Sequence, residues 1–149
     1  MIYYMEVKMI KFFVDTSFFI GLLNNRDKFH KLAVNKLKSL YKEKGNQLYT
    51  SDYVIAELSN FLVKTTDINN AINLIDEVIN EEFCKIFYSN KQIIQYSLSV
   101  FRKERSETKP LNLTDCIVGV SNVLLKCDEL LSFDERLKNY KIEIGRKIL

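Results

Sequence analysis

Apolar and polar positions follow two rhythms along this chain, one suited to strands and one to helices, and the two take turns from end to end. Residues 10–14, IKFFV, form a short, mainly apolar run ending at Asp15 and predict a buried strand. Asp15-Thr16-Ser17 then offers a helix start, and FFIGLL behind it predicts a short buried helix. From Asp27, the positions Phe29, Leu32, Ala33, Leu37 and Leu40 recur at helical spacing, with a Lys-rich opposite face left to solvent. Gly45-Asn46 ends that helix, and residues 47–51 predict a second strand. Ser51 or Asp52 can cap the next helix, which carries Val54, Ile55, Leu58, Phe61 and Leu62. Further helices are predicted over residues 68–80, 91–105 and 113–126, and strands over residues 83–88 and 129–133. Residues 104–111, with Pro110, predict a loop. After Asp134 come a helical turn and a last strand at residues 141–144.

Strands alternating with helices favour an α/β fold with a central, mainly parallel sheet covered by helices on both faces. In such sheets ligands sit beyond the carboxyl ends of the strands. The length of 149 residues, without repeats, low-complexity tracts or linkers, predicts one domain spanning residues 1–149. Apolar residues make up 47% of the chain, enough for a core rather than disorder. No apolar run approaches the length needed to span a bilayer, and the start MIYYMEVKMIKFFVD is too polar and too short for a secretory signal. The expectation is a soluble, cytoplasmic protein with no membrane partner. Cys84, Cys116 and Cys127 are odd in number and lack CxxC spacing, so they predict buried, reduced thiols rather than a disulfide framework or zinc site.

Four acids stand at informative places. Asp15 follows a predicted strand, and has two readings: a helix cap, or a ligand-binding carboxylate at the sheet edge. Glu57 lies within YVIAELSNFL, on the same helical face as Phe61. A carboxylate among apolar neighbours is costly unless paired or metal-bound, so a salt bridge or a rim position is the alternative. Asp115, in LTDCIVGV, sits in the first turn of an apolar helix if Thr114 caps it, where the helix dipole favours negative charge. Asp134, in LLSFDERL, follows the last predicted central strand and can also start a short helix. Each acid has a local explanation; the set of four does not. With net charge +3, gathering four carboxylates in one pocket leaves +7 (3 + 4) on the remainder, a distribution suited to a polyanion that meets a metal.

The series FVDTSFFIGLL, TSDYVIAEL, LNLTDCIVGV and LLSFDERL resembles the motif series of PIN-domain ribonucleases, and more narrowly the VapC-like toxin nucleases of toxin–antitoxin pairs. RDKFHKLA, residues 26–33, is similar to the second helix of that family. The likeness covers the chain from about Met9, so residues 1–8 read as an extension before the usual start. It implies a PIN-like three-layer α/β/α sandwich with four to five strands. It also implies Mg²⁺- or Mn²⁺-dependent hydrolysis of RNA phosphodiesters, a protein antitoxin and a homodimer. Asp15 and Asp115 would then be the main metal ligands, completed by Glu57 and Asp134. Thr16, Ser17 and Ser132 become candidates for holding the acids or touching phosphate, although turn and cap chemistry explains such hydroxyls too.

Arg102, Lys103, Arg105 and Lys109, close before Asp115, are candidate RNA contacts. Lys36, Lys38, Lys42 and Lys44 read as a solvated face. His30 is the only imidazole, so any serine or cysteine triad would have to use it; no nucleophile motif lies beside it, and an exposed or half-buried structural His is the better reading. No P-loop or GxGxxG occurs. Two rivals remain. A haloacid-dehalogenase-like phosphatase shares the strand-Asp start, but wants a second Asp where Ser17 stands. A non-catalytic PIN-like binding module would have no need of four intact acids.

Overall fold

The computed structural model describes residues 8–81, 84–108 and 110–137. Its elements in chain order are β1 (Ile10–Val14), α1 (Thr16–Leu23), α2 (His30–Lys42), β2 (Asn46–Ser51), α3 (Asp52–Thr65), α4 (Ile68–Ile79), β3 (Lys85–Phe87), α5 (Lys91–Glu104), α6 (Leu113–Leu124) and β4 (Glu129–Leu131). Residues 135–137 are again helical. The strand expected at residues 141–144 and residues 1–7 of the expected extension at 1–8 lie outside the described residues.

The strands form one sheet in the order β3-β2-β1-β4, and every pairing is parallel. Parallel neighbours cannot be joined by a tight turn and need a crossover. Here each crossover is a helix pair: α1 and α2, then α3 and α4, then α5 and α6. The chain starts in the middle, works outward through β2 to β3, and returns to the other side of β1 as β4. The order therefore reverses between β1 and β4, which is where an open parallel sheet leaves a crevice at its carboxyl edge.

Phe12, Phe13 and Val14 are all buried, although successive strand residues point to opposite faces. Both faces of β1 are covered, as the alternation of elements predicts. The larger core joins the sheet, through Phe13, to Phe19 of α1, Ala33 of α2, Leu58 of α3, Ala71 of α4 and Val118 of α6. A smaller core, around Ile93, Val100, Cys116 and Val120, seals α5 against α6. Gly45, in the left-handed region at φ 90°, turns the chain from α2 into β2. Among the described residues no helix is long and apolar enough to cross a membrane.

Two sequence expectations change. Asn112, not Thr114, caps α6, because its side chain reaches the Asp115 N–H at 2.8 Å. Cys84 and Cys116 are buried, but Cys127 is only partly so. Burial pushes the Cys84 thiol up to about 12, helped by Glu81, and that of Cys116 up to about 11, helped by Asp115 and Glu104. Both are protonated and inert at neutral pH.

Candidate active site

Asp15 leaves β1 at the point where the strand order reverses, with only 6% of its surface exposed. It stands at the N-cap position of α1, yet its side chain makes no capping hydrogen bond. Capping therefore does not explain this acid. Its Oδ2 accepts instead from the Ser132 hydroxyl at 2.8 Å and the Ser17 hydroxyl at 3.1 Å. Those hydroxyls are themselves aimed by backbone N–H groups: Phe133 donates to Ser17 Oγ at 2.9 Å, and Asp134 to Ser132 Oγ at 3.1 Å. The loop after β4 is thus fastened to the loop after β1, reinforced by the Asp15 N–H donating to the Leu131 carbonyl at 3.0 Å. Burial raises the proton affinity of Asp15 most, and the charge of Asp134 adds to it; bonds from Ser132, the Thr16 N–H and Ser17 oppose the rise.

Glu57 comes from the second turn of α3, which begins where β2 ends under a cap supplied by the Ser51 side chain. Thr16 Oγ1 donates to its Oε2 at 2.6 Å. Among the described residues its hydrogen-bond partners are hydroxyls, those of Thr16 and Thr114, and its charged neighbours are Asp15 and Asp115, with no salt bridge. Burial first, then those two acids, hold its carboxyl above the usual range. Asp115 belongs to a reciprocal cap: its Oδ2 accepts from the Asn112 N–H at 2.9 Å. Burial also raises its proton affinity most, with Asp134 and Asp15 adding to the rise and Arg136 opposing it.

Asp134 starts a helical turn as expected, accepting from the Arg136 N–H at 3.0 Å. Its carboxylate is also held by the Arg136 guanidinium, Nε to Oδ1 at 3.1 Å and Nη2 to Oδ2 at 3.0 Å. The sequence reading missed Arg136 as well as Thr114. An i, i+2 pair at a strand end has no periodicity to betray it, whereas the Asn-x-x-Asp spacing before α6 is a recognisable capping signal.

The four acids are close enough to act on one another: Asp15 feels Asp134, Glu57 feels Asp15 and Asp115, and Asp115 feels Asp134 and Asp15. Among the described residues, no three His, Cys, Asp or Glu side chains already close on a point that would grip a metal ion. Like charges at this range repel, and their oxygens are tied to hydroxyl and backbone donors. The donor set nonetheless fits a hard divalent cation, since it offers carboxylate oxygens whose mutual repulsion such an ion would relieve.

The loop carrying Ser132 and Asp134 is held from a second side. The Phe133 ring stacks on Phe29 at 4.5 Å and on Phe18 at 5.5 Å between centroids. His30 is structural, as expected: its Nδ1–H donates to the Gly21 carbonyl at 2.7 Å. Arg102, Lys103 and Arg105 are exposed, with the Arg105 guanidinium 5.3 Å over the Phe101 ring; Lys109 lies outside the described residues. Of the second basic group, Lys38, Lys42 and Lys44 are solvated, but Lys36 is committed to Glu129 at 3.3 Å.

A sequence model of the family described as PIN domain matches residues 12–143. No curated protein sequence matches the chain. Among solved structures, VapC20 of Mycobacterium tuberculosis, described as a sarcin-ricin loop cleaving toxin, is similar with a TM-score of 0.73 and 19% identity, over 86% of this chain and 93% of that one. VapBC-1 of nontypeable Haemophilus influenzae is similar with a TM-score of 0.62 and 19% identity, over 90% and 93%. VapBC2 of Rickettsia felis, solved bound to a DNA fragment from their promoter, gives 0.65 and 15%, over 87% and 92%. At these identities the likeness is one of fold.

Proposed function

Since the chain belongs to the PIN domain family, we propose that it is a metal-dependent endoribonuclease, the toxin of a toxin–antitoxin pair, with its site at Asp15, Glu57, Asp115 and Asp134. The observation that carries this reading is Asp15, buried where the strand order reverses and held by Ser17 and Ser132, with Glu57, Asp115 and Asp134 each within electrostatic reach of it. Asp15, Glu57 and Asp115 would hold Mg²⁺ or Mn²⁺, with Asp134 at the edge of the set. Such an ion, when bound, supplies an activated water and steadies charge on the attacked phosphate.

The chain's own side chains do the positioning. Ser17 and Ser132 fix the Asp15 carboxylate, Thr16 and Thr114 fix that of Glu57, and the reciprocal cap with Asn112 fixes that of Asp115. Exposed Arg102, Lys103 and Arg105 would draw the RNA backbone toward the site. The similarity to two VapBC structures supports an antitoxin as partner, and the homodimer expected from the resemblance belongs to the same reading.

The test is cleavage of RNA by the purified, inhibitor-free protein with Mg²⁺ or Mn²⁺, beside Asp15→Asn and Asp115→Asn. Cleavage by the unsubstituted protein and loss in both variants is expected. No cleavage of cellular RNA with either ion, or normal cleavage by both variants, would sink the reading. Sequencing the RNA ends after controlled expression would identify the target.

A further inference from the structure

Asp134 differs from the other three acids in having both carboxylate oxygens taken by a cation of its own chain. Arg136 grips it with Nε and Nη2, and its Nη1 donates to the Pro110 carbonyl at 3.2 Å. A guanidinium carries five N–H donors in a rigid plane. Among the described residues three are used, which leaves one on Nη1 and one on Nη2. The side chain is 50% exposed, so these donors are not sealed in the core. The charge also reaches Asp115, where it opposes the effect of the neighbouring acids.

A cation clamped in this way differs from an ordinary surface ion pair. The carboxylate sets the plane, and the carbonyl of a residue 26 positions away in sequence pins the other side. The rotamer entropy that a long side chain would lose on gripping a ligand has already been lost in folding. The clamp stands beside acids that would hold a metal, so a phosphate bridging ion and guanidinium would have one charge partner on each side. Asp134, with both oxygens engaged, is better placed to hold Arg136 than to enclose an ion.

On the nuclease reading above, we infer that Arg136 binds a phosphate of the RNA substrate and that the main task of Asp134 is to hold it in place. The RNA thereby meets a fixed cation inside the acidic site, in addition to the exposed basic residues at the end of α5.

The test is binding of a short single-stranded RNA of mixed sequence, read by fluorescence anisotropy over a salt series, in the Asp15→Asn background so that the RNA stays intact. Arg136→Gln is expected to weaken binding about tenfold and to lower the slope of log K against log salt by about 0.7, the value for one phosphate on a single strand. Arg136→Lys should restore the slope but only part of the affinity, because a point charge lacks the planar fork. Asp134→Asn should weaken binding in the same direction. Thermal melts run alongside identify a merely structural strap, which would lower the melting temperature and leave the slope alone. An unmoved slope in Arg136→Gln, or no measurable RNA binding, overturns the inference. The nuclease reading is judged separately by cleavage with the unsubstituted protein, so either can fail without the other.

Discussion

The Ser132 hydroxyl donates to Asp15 Oδ2 at 2.8 Å, joining the residues that follow the two adjacent strands β4 and β1. Both are buried, so the bond is shielded from competing water. Ser132→Ala removes a donor from a buried carboxylate and also an acceptor from the Asp134 N–H. A buried group deprived of its partner costs about 1–3 kcal/mol. The expected outcome is a lower melting temperature and a clear loss of RNA cleavage. Ser132→Thr keeps the hydroxyl and should keep both properties. Equal cleavage by the alanine variant would show that the bond does not position Asp15.

Asp15→Asn should separate stability from activity. Burial raises the proton affinity of Asp15, which means that its charged form is disfavoured in the fold relative to water. Asparagine has nearly the same shape without that charge, and the Ser17 and Ser132 hydroxyls can turn to meet its amide. The metal-free variant should melt higher than the unsubstituted protein and cut no RNA. Mg²⁺ should raise the melting temperature of the unsubstituted protein and leave that of the variant nearly unmoved. A variant that melts lower and still responds to Mg²⁺ would contradict this account.

The same raised proton affinities fix the sign of the pH dependence. An acid whose pKa is higher in the folded state binds its proton more tightly there than in the unfolded chain. Asp15, Glu57 and Asp115 therefore favour the fold most below their ordinary values of 3.8, 4.5 and 3.8. That contribution fades as pH rises from those values through the raised ones. Without metal, the melting temperature of the unsubstituted protein should fall relative to Asp15→Asn as pH rises from about 4 to 7. Added Mg²⁺ competes with protons for the same oxygens, so its stabilising effect should grow over that interval. Parallel melting curves for the two proteins across the range would remove Asp15 from the explanation.

How much of this was legible in the sequence depends on the reach of the interaction. The strand-to-helix rhythm placed all four described strands and six helices to within a few residues, because burial patterns act over one element at a time. It also put Asp15 and Asp134 just beyond strand ends. It could not say that β1 and β4 are neighbours, since strand order is a property of the crossovers. The pairing of Asp15 with Ser132, 117 residues apart, follows from that order alone. Glu57 was suspected for lying among apolar residues, but its partner Thr16 was not foreseen as such, because α1 and α3 come together only in the fold. Arg136 went unremarked, because its contact with Pro110, 26 residues away, exists only in the fold.

Asn112 carries the start of α6, and with it the orientation of Asp115. The side chain of Asn112 accepts from the Asp115 N–H at 2.8 Å, while Asp115 Oδ2 accepts from the Asn112 N–H at 2.9 Å. Asn112→Ala loses the first bond and loosens the second. Loss of such a cap costs about 1 kcal/mol. Cleavage should fall by more than this modest destabilisation explains, because the first turn of α6 is also where Thr114 reaches Glu57. Asn112→Ser, a competent cap, should recover most of both. Denaturation and cleavage measured side by side decide it: a variant destabilised as expected but fully active would show that Asp115 is oriented without its cap.

Gly21 sits inside α1, where glycine ordinarily weakens a helix by about 1 kcal/mol relative to alanine. Its reason for being there is the Phe133 ring. A Cβ at position 21 would lie 3.1 Å from Phe133 Cε2 and 3.3 Å from the Ala33 Cβ. Phe133 cannot easily yield, because it is stacked against both Phe29 and Phe18, and it stands between Ser132 and Asp134 in the chain. Gly21→Val adds a branched side chain to that contact. Overpacking of this kind costs about 1–3 kcal/mol. The displaced ring would carry the Ser132 hydroxyl away from Asp15, so cleavage should fall together with stability. Combining Gly21→Val with Phe133→Leu makes room and should restore part of each. If the single variant melted normally and cut RNA normally, the loop after β4 would not be positioned through Phe133.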